Sequence, residues 1–179
     1  MWIPKRALLA LSLAVVAVVS LALAVGAFGD RGRGGSNASN HHGRAHGRAL
    51  LKAALAPSLP TDPTLHGVQP GAAPWVLRHG HVRVREGRLE LRVRGLVIPS
   101  PPGDGTPGPV TTISASLYCG SDSQTAPADT TGQVPLSRRG SARIRDRSFT
   151  VPDTCLAPVV LVHPNGNTTR YIAVDGWRR

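Results

Sequence analysis

Arg83, Arg85, Arg88, Arg92 and Arg94 fall at nearly every second position of the stretch "HVRVREGRLELRVRG". A guanidinium is planar, permanently charged and presents a fork of donors that matches phosphate oxygens, so a row of them is suited to gripping an anionic polymer. The same row also describes the wet side of a β-hairpin, where long side chains cover a sheet. With Glu86-Gly87 as a two-residue turn, Arg85 faces Arg88, Val84 faces Leu89, Arg83 faces Glu90, Val82 faces Leu91 and His81 faces Arg92. Apolar then meets apolar, whereas a three-residue turn would put charge on the core side. This register predicts a polar face of His81, Arg83, Arg85, Arg88, Glu90, Arg92 and Arg94, with Arg83 and Glu90 as a cross-strand ion pair. Gly95 must then carry a bulge, because Val93 and Leu96 cannot both point inward without one.

Other chemistry is thin. His41, His42 and His46 form a His-rich tract, and His79 and His81 are spaced to share one strand face, but a metal site needs three or four converging ligands. No metal site and no cofactor is expected. The chain has no G-x-S-x-G, no H-E-x-x-H, no phosphate loop and no C-x-x-C, and the only glutamates are Glu86 and Glu90. No catalytic residue is therefore assigned, and the expectation is a protein that is not an enzyme. Two Asn-x-Ser/Thr matches, at Asn37 and Asn167, are coincidental in a chain of bacterial composition; the second fits turn chemistry better.

The elements that would position these residues begin after residue 28. Lys5 and Arg6 precede an uncharged apolar run over residues 7–28, which is the pattern of an export signal. Small residues end two segments of the A-x-A kind, with cleavage after Ala24 or Ala27. The run is also long enough to cross a bilayer, so a retained membrane anchor with the domain outside is the alternative to secretion. Export makes an oxidising compartment, and the two cysteines, Cys119 and Cys155, then read as one disulfide. Only Lys5 and Lys52 among 21 basic residues are lysine, the usage of a genome rich in G and C.

Residues 29–64 are dominated by Gly, Arg, Asn, His and later Pro, and predict a disordered linker, with a marginal helix over 48–56. From residue 65 to 179 the period becomes two. Strands are expected over 75–79, 81–85, 88–98, 111–119, 133–137, 142–151, 158–163 and 168–174, with a Pro/Gly loop over 98–109 and a hairpin turn at Asn165-Gly166. Seven or eight short strands predict a single antiparallel β-sandwich. The cysteine pair with Trp75 upstream suggests an immunoglobulin-like arrangement, although the cysteines are too close and no Tyr lies two residues before the second.

The segments "HGVQPGAAPWVLRHGHVRVREGRLELRVRGLVIP", "SASLYCG", "PLSRRGSARI" and "TCLAPVVLVHPNGNTTRYIA" resemble a group of small exported actinobacterial proteins with no assigned function. The resemblance covers residues 65–177. It implies a signal sequence and one compact domain, and it lends no catalytic residue.

The functional expectation is a secreted or surface-tethered binding or structural module of unidentified ligand, with the arginines as the solvated side of the hairpin; the alternative is an envelope protein that binds an anionic cell-envelope polymer through that face, and another envelope protein is the other partner considered. Residues 57–179 carry 14 basic and 9 acidic side chains, and residues 29–56 carry 5 and 1, so much of the excess charge lies outside the strands. Intact mass of the protein recovered from culture medium is expected to match a chain beginning after Ala24 or Ala27 and lacking two hydrogens. Full-length mass found only in the membrane fraction would establish the retained anchor instead.

Overall fold

A computed structural model describes residues 49–176. Its elements are β1 (Leu51–Pro57), β2 (Gln69–Pro70), β3 (His79–Arg85), β4 (Arg88–Arg94), β5 (Thr112–Tyr118), β6 (Asp129–Thr130), β7 (Val134–Pro135), β8 (Ala142–Asp146), β9 (Val159–Pro164), β10 (Arg170–Tyr171) and β11 (Ala173–Asp175). Among the described residues there is no helix long and apolar enough to cross a membrane; the expected signal or anchor segment, with Ala24 and Ala27, lies outside them.

The β3–β4 hairpin has the register that its alternation predicts, from Arg85 opposite Arg88 to His79 opposite Arg94. Gly87 alone takes the left-handed conformation (φ 66°), so Glu86 needs no strained backbone at the first turn position. Val82, Val84, Leu89, Leu91 and Val93 are buried on one side. Gly95 (φ 69°) ends the ladder and lets Leu96 join Val93 in the core.

The sheet is all-β and largely antiparallel, with the path β6-β5-β9-β11-β1-β3-β4-β8 and β7 beside β5, and it curls into a half-barrel. The all-β, antiparallel class expected from the alternation is what forms, and one hydrogen-bonded path joins all these strands. The junction is β1, whose residues Leu51 to Ala54 pair with β3 while Leu55 to Pro57 pair with β11. A strand that changes partners along its length turns a corner between two sheet directions. The concave side holds one core, in which Val82, Leu91 and Ile144 from one half meet Ile113, Leu117, Val160 and Val162 from the other.

β1 runs through the later part of the linker expected over 29–64 and stands where a helix was expected over 48–56, which corrects both from residue 49 on; residues 29–48 lie outside the described residues. "LKAALAP" has no β-branched residue and favours a helix by intrinsic propensity, but two sheet edges claim it, and pairing on both sides outweighs propensity. Its alternation is visible only in burial, with Lys52 and Ala54 exposed and Ala53 turned inward. Gly80 allows the close crossing, since a Cβ there would lie 2.9 Å from the Leu55 Cβ. The strand expected over 75–79 reduces to one bridge between Val76 and Val97, and the later elements are shorter than the alternation suggested.

The convex side of β5 and β9 is covered too. Residues 59–71 lie over it, fixed by a tight turn in which His66 (φ 50°) and Gly67 (φ 77°) are both left-handed and Leu65 and Val68 exchange backbone hydrogen bonds of 3.0 and 2.8 Å. The His66 ring stacks on Tyr118 (centroids 4.9 Å apart, 19° between planes), and the Tyr171 hydroxyl donates to the Pro63 carbonyl at 2.7 Å. Val68, Tyr118, Leu161 and Tyr171 thereby make a second small core.

The expected disulfide is present: Cys119 at the end of β5 is bonded to Cys155, across 36 residues. The loop over 98–109 contains no strand. Asn165-Gly166 form the turn after β9, and Asn165 Oδ1 accepts from the backbone N–H groups of Thr111 (2.9 Å) and Thr112 (3.1 Å), tying the turn to β5. The ladder does not close directly after this turn. β10 leaves to pair with β2, and only β11 returns to β9.

Because β1 joins the two halves, a chain beginning at Leu65 is expected to remain unfolded by circular dichroism and amide-proton dispersion, whereas one beginning at Ala49 folds. Native dispersion in the shorter chain would show that β1 is dispensable.

Candidate functional site: a basic sheet face

The outer side of the half-barrel formed by β1, β3, β4 and β8 is the complement of its core alternation. Register places Lys52, Arg83, Glu90 and Arg145 in one row across the strands, and Ala54, His81, Arg92 and Arg143 in the next. Arg85 and Arg88 lie on one side of these rows, His79 and Arg94 on the other. With strands about 4.8 Å apart and same-face residues about 6.8 Å apart along each strand, the guanidinium groups form a two-dimensional array.

All five sequence-predicted arginines are on this face, and the structure adds Lys52, Arg143 and Arg145. Lys52 was hidden in the presumed linker. Arg143 and Arg145 alternate in "ARIRD", but only strand order shows that β8 lies beside β4.

The charge is unbalanced. Glu90 is the one carboxylate in these rows, and it lies 3.7 Å from Arg88 on its own strand, not paired with Arg83 as the register suggested. Residues i and i+2 share a face, so Arg88 competes directly for the carboxylate; both side chains are more than two-fifths exposed, which makes the pair worth under about 1 kcal/mol. Three cross-strand positions oppose cation to cation: Lys52 to Arg83, Arg85 to Arg88, and Arg92 to Arg143. Like charges directly opposite one another destabilise a sheet.

The side chains are held rather than splayed. Arg83, Arg85 and Arg92 are half-buried among their neighbours, and the Nε atoms of Arg83 and Arg85 are covered without a hydrogen-bond partner. Beside them, Ala54 is too small to fill its position, and a depression of about 640 Å³ opens between Lys52, His81, Arg83 and Glu90.

No family model, curated protein or solved structure matches this chain. The residues themselves must therefore carry the functional reading.

A second polar constellation is structural in character. His163 Nδ1 lies 2.7 Å from the Arg170 carbonyl oxygen, which can only accept, so Nδ1 carries the hydrogen. Nε2 then accepts from the Ser116 hydroxyl at 2.9 Å, and Ser116 in turn accepts from Thr130 at 2.8 Å. The Ser-His pair has the atoms of a nucleophile and base, yet both residues are 0% exposed beneath the 59–71 layer. What the ring does is satisfy the Arg170 carbonyl where the chain departs from β9. Among the described residues, no three His, Cys, Asp or Glu side chains converge as metal ligands; His79 and His81 are both exposed on the basic face, and His41, His42 and His46 lie outside the described residues.

Burial lowers the pKa of His163, against a smaller opposing effect of its bond to Arg170. The unfolded chain therefore takes up its proton first as pH falls, so stability is fully present above about pH 6.5 and is lost as pH drops below that value toward the depressed folded pKa. Thermal melts are expected to show this acid loss, with a slope of at most about 1.4 kcal/mol per pH unit from this group. His163→Gln should be less stable at pH 8 but lack that slope. Asp175, whose pKa burial raises, contributes the opposite sign in both proteins and so cancels from the comparison. An unchanged slope in the variant would remove His163 as its source.

Proposed function

We propose that this protein is an exported binding module that engages an anionic, phosphate-bearing polymer of the cell envelope through the basic face of β1, β3, β4 and β8. The observation that carries this reading is the opposition of cation to cation across three strand pairs, with Glu90 alone among eight basic side chains. A merely solvated face is served as well by mixed charges, which stabilise cross-strand pairs instead of straining them. An array lacking its own counter-charges takes them from solution, and a polymer supplies many at once while releasing bound ions.

Export is supported by the apolar run after Lys5 and Arg6 and by the disulfide, which fits an oxidising compartment. The face carries no Trp, Tyr or Phe on which bases could stack, which favours a backbone-type polyanion over single-stranded nucleic acid.

Retention on a heparin or polyphosphate column is the direct test. The wild-type protein is expected to elute at high salt, and the Arg83, Arg88, Arg92 and Arg94 to Ser variant near the void at physiological salt. Arg138→Ser, which removes a charge from the turn before β8 and not from the rows of the face, should elute close to wild type. If the fourfold variant elutes with wild type, the reading is wrong.

A further inference from the structure

Where β3 begins and β4 stops, a separate depression of about 670 Å³ lies at the end of the half-barrel. Three arginines line it: Arg78 ahead of β3, Arg94 at the end of β4, and Arg139 from the turn before β8. The backbone holds them in place. Arg78 N–H donates to the Arg94 carbonyl at 3.1 Å, and Leu96 N–H donates to Gly140 at 3.0 Å, which seats the turn carrying Arg139 against β4's continuation. Gly140 (φ 67°) sits so close that a Cβ there would lie 2.3 Å from the Leu96 carbonyl oxygen, and Gly95 (φ 69°) leaves just enough room for Arg78, whose Cβ would be 3.0 Å from an added methyl. These are close approaches that only glycine permits.

The lining holds no carboxylate, and among the described residues none of the three guanidinium groups has an ion-pair partner. Ser141 adds a hydroxyl at the rim. His79 also lines it, and beside these polar groups runs an apolar strip of Leu77, Val97 and Val76, the last 42% exposed and, with Leu156, one of two large hydrophobic side chains left so open among the described residues. A cationic wall beside an exposed apolar strip suits a ligand with a compact anionic group joined to carbon.

We propose that this depression binds a phosphate group, single or double, carried by an organic residue. The three guanidinium groups would take the phosphate oxygens in charge-assisted, forked hydrogen bonds, and the carbon portion would lie on Val76 and Val97. A phosphate monoester bears nearly two charges, which three arginines balance better than they would a single carboxylate. The volume exceeds what phosphate alone needs and falls in the range of small-molecule sites. This site adjoins the basic face at His79 and Arg94 but does not depend on its rows, because Arg78, Arg139, Val76 and Val97 lie outside them.

Titration of the folded protein with phenyl phosphate, pyrophosphate and benzoate, followed by calorimetry and amide shifts, tests it. Phenyl phosphate and pyrophosphate are expected to bind with shifts centred on residues 76–79, 94–97 and 139–141, and benzoate to bind at least about tenfold more weakly, a difference of about 1.4 kcal/mol. Arg139→Ser, at an exposed turn, should weaken both phosphates about tenfold or more with an otherwise unchanged spectrum, and Arg139→Lys should restore only part of the affinity. Val76→Ser should weaken phenyl phosphate and leave pyrophosphate as it was. A variant with Arg83, Arg88 and Arg92 changed to Ser separates the two sites: it should lose polymer retention yet keep phenyl phosphate binding, while Arg139→Ser does the reverse. Competition by long-chain polyphosphate with free ends, but not by end-blocked chains, would identify a polymer terminus as the source of the phosphate; absence of competition would identify a free small molecule. No saturable binding of either phosphate, or binding indifferent to Arg139→Ser, overturns the proposal.

Discussion

Backbone hydrogen bonding along β1 is the constraint on which the half-barrel rests. Over residues 51–57 one extended segment gives its first half to β3 and its second half to β11. Neither neighbour could replace it, because β3 is already paired to β4 on its other side and β11 to β9. Without this strand each half of the sheet would present a long open edge beside a half-covered core, the arrangement that promotes association with other chains. With it, one continuous ladder bends around a single set of buried Val, Leu and Ile side chains.

What the sequence discloses tracks how local the determining contact is. The β3–β4 register was legible because a two-residue turn and strict alternation leave one pairing that keeps charge out of the core. Gly95 and the Asn165-Gly166 turn were legible because the backbone each needs is set within a few residues, whereas the departure of β10 to β2 after that turn, which depends on a distant partner, was not. β1 was not, since Leu, Lys and Ala carry no strand signature and its partners lie near residues 82 and 174. Residues 59–64 read as the end of a linker because of their prolines, yet the layer over 59–71 is held by His66 on Tyr118 and Tyr171 on Pro63, contacts between distant parts of the chain. Two of the eight basic side chains of the face failed to appear for the same reason: alternation in "ARIRD" says that Arg143 and Arg145 share a side, and says nothing about which strand they lie beside.

The two faces of the sheet thus solve opposite problems. Inside, shape and apolarity decide, and the pattern can be satisfied by the chain alone. Outside β1, β3, β4 and β8, the chain leaves an electrostatic problem open, because alternation has delivered cations to neighbouring positions and only Glu90 to oppose them. Ionic strength therefore enters the behaviour of this surface twice, by relieving repulsion among the arginines and by competing with any polyanion for them. Over β5 and β9 the outer surface has instead been roofed, and the polar groups there are satisfied internally.

The near-exclusive use of arginine has a practical consequence for anyone handling the molecule. Lys52 is the only lysine among the described residues, and it stands within the basic array opposite Arg83. Attachment of the domain through this amine to a sensor chip, bead or dye would therefore act at the β1 edge of that array and turn it toward the support. A preparation coupled in this way would look inert toward polyanions whatever its native behaviour, whereas attachment through an added C-terminal tag would leave the array facing solution.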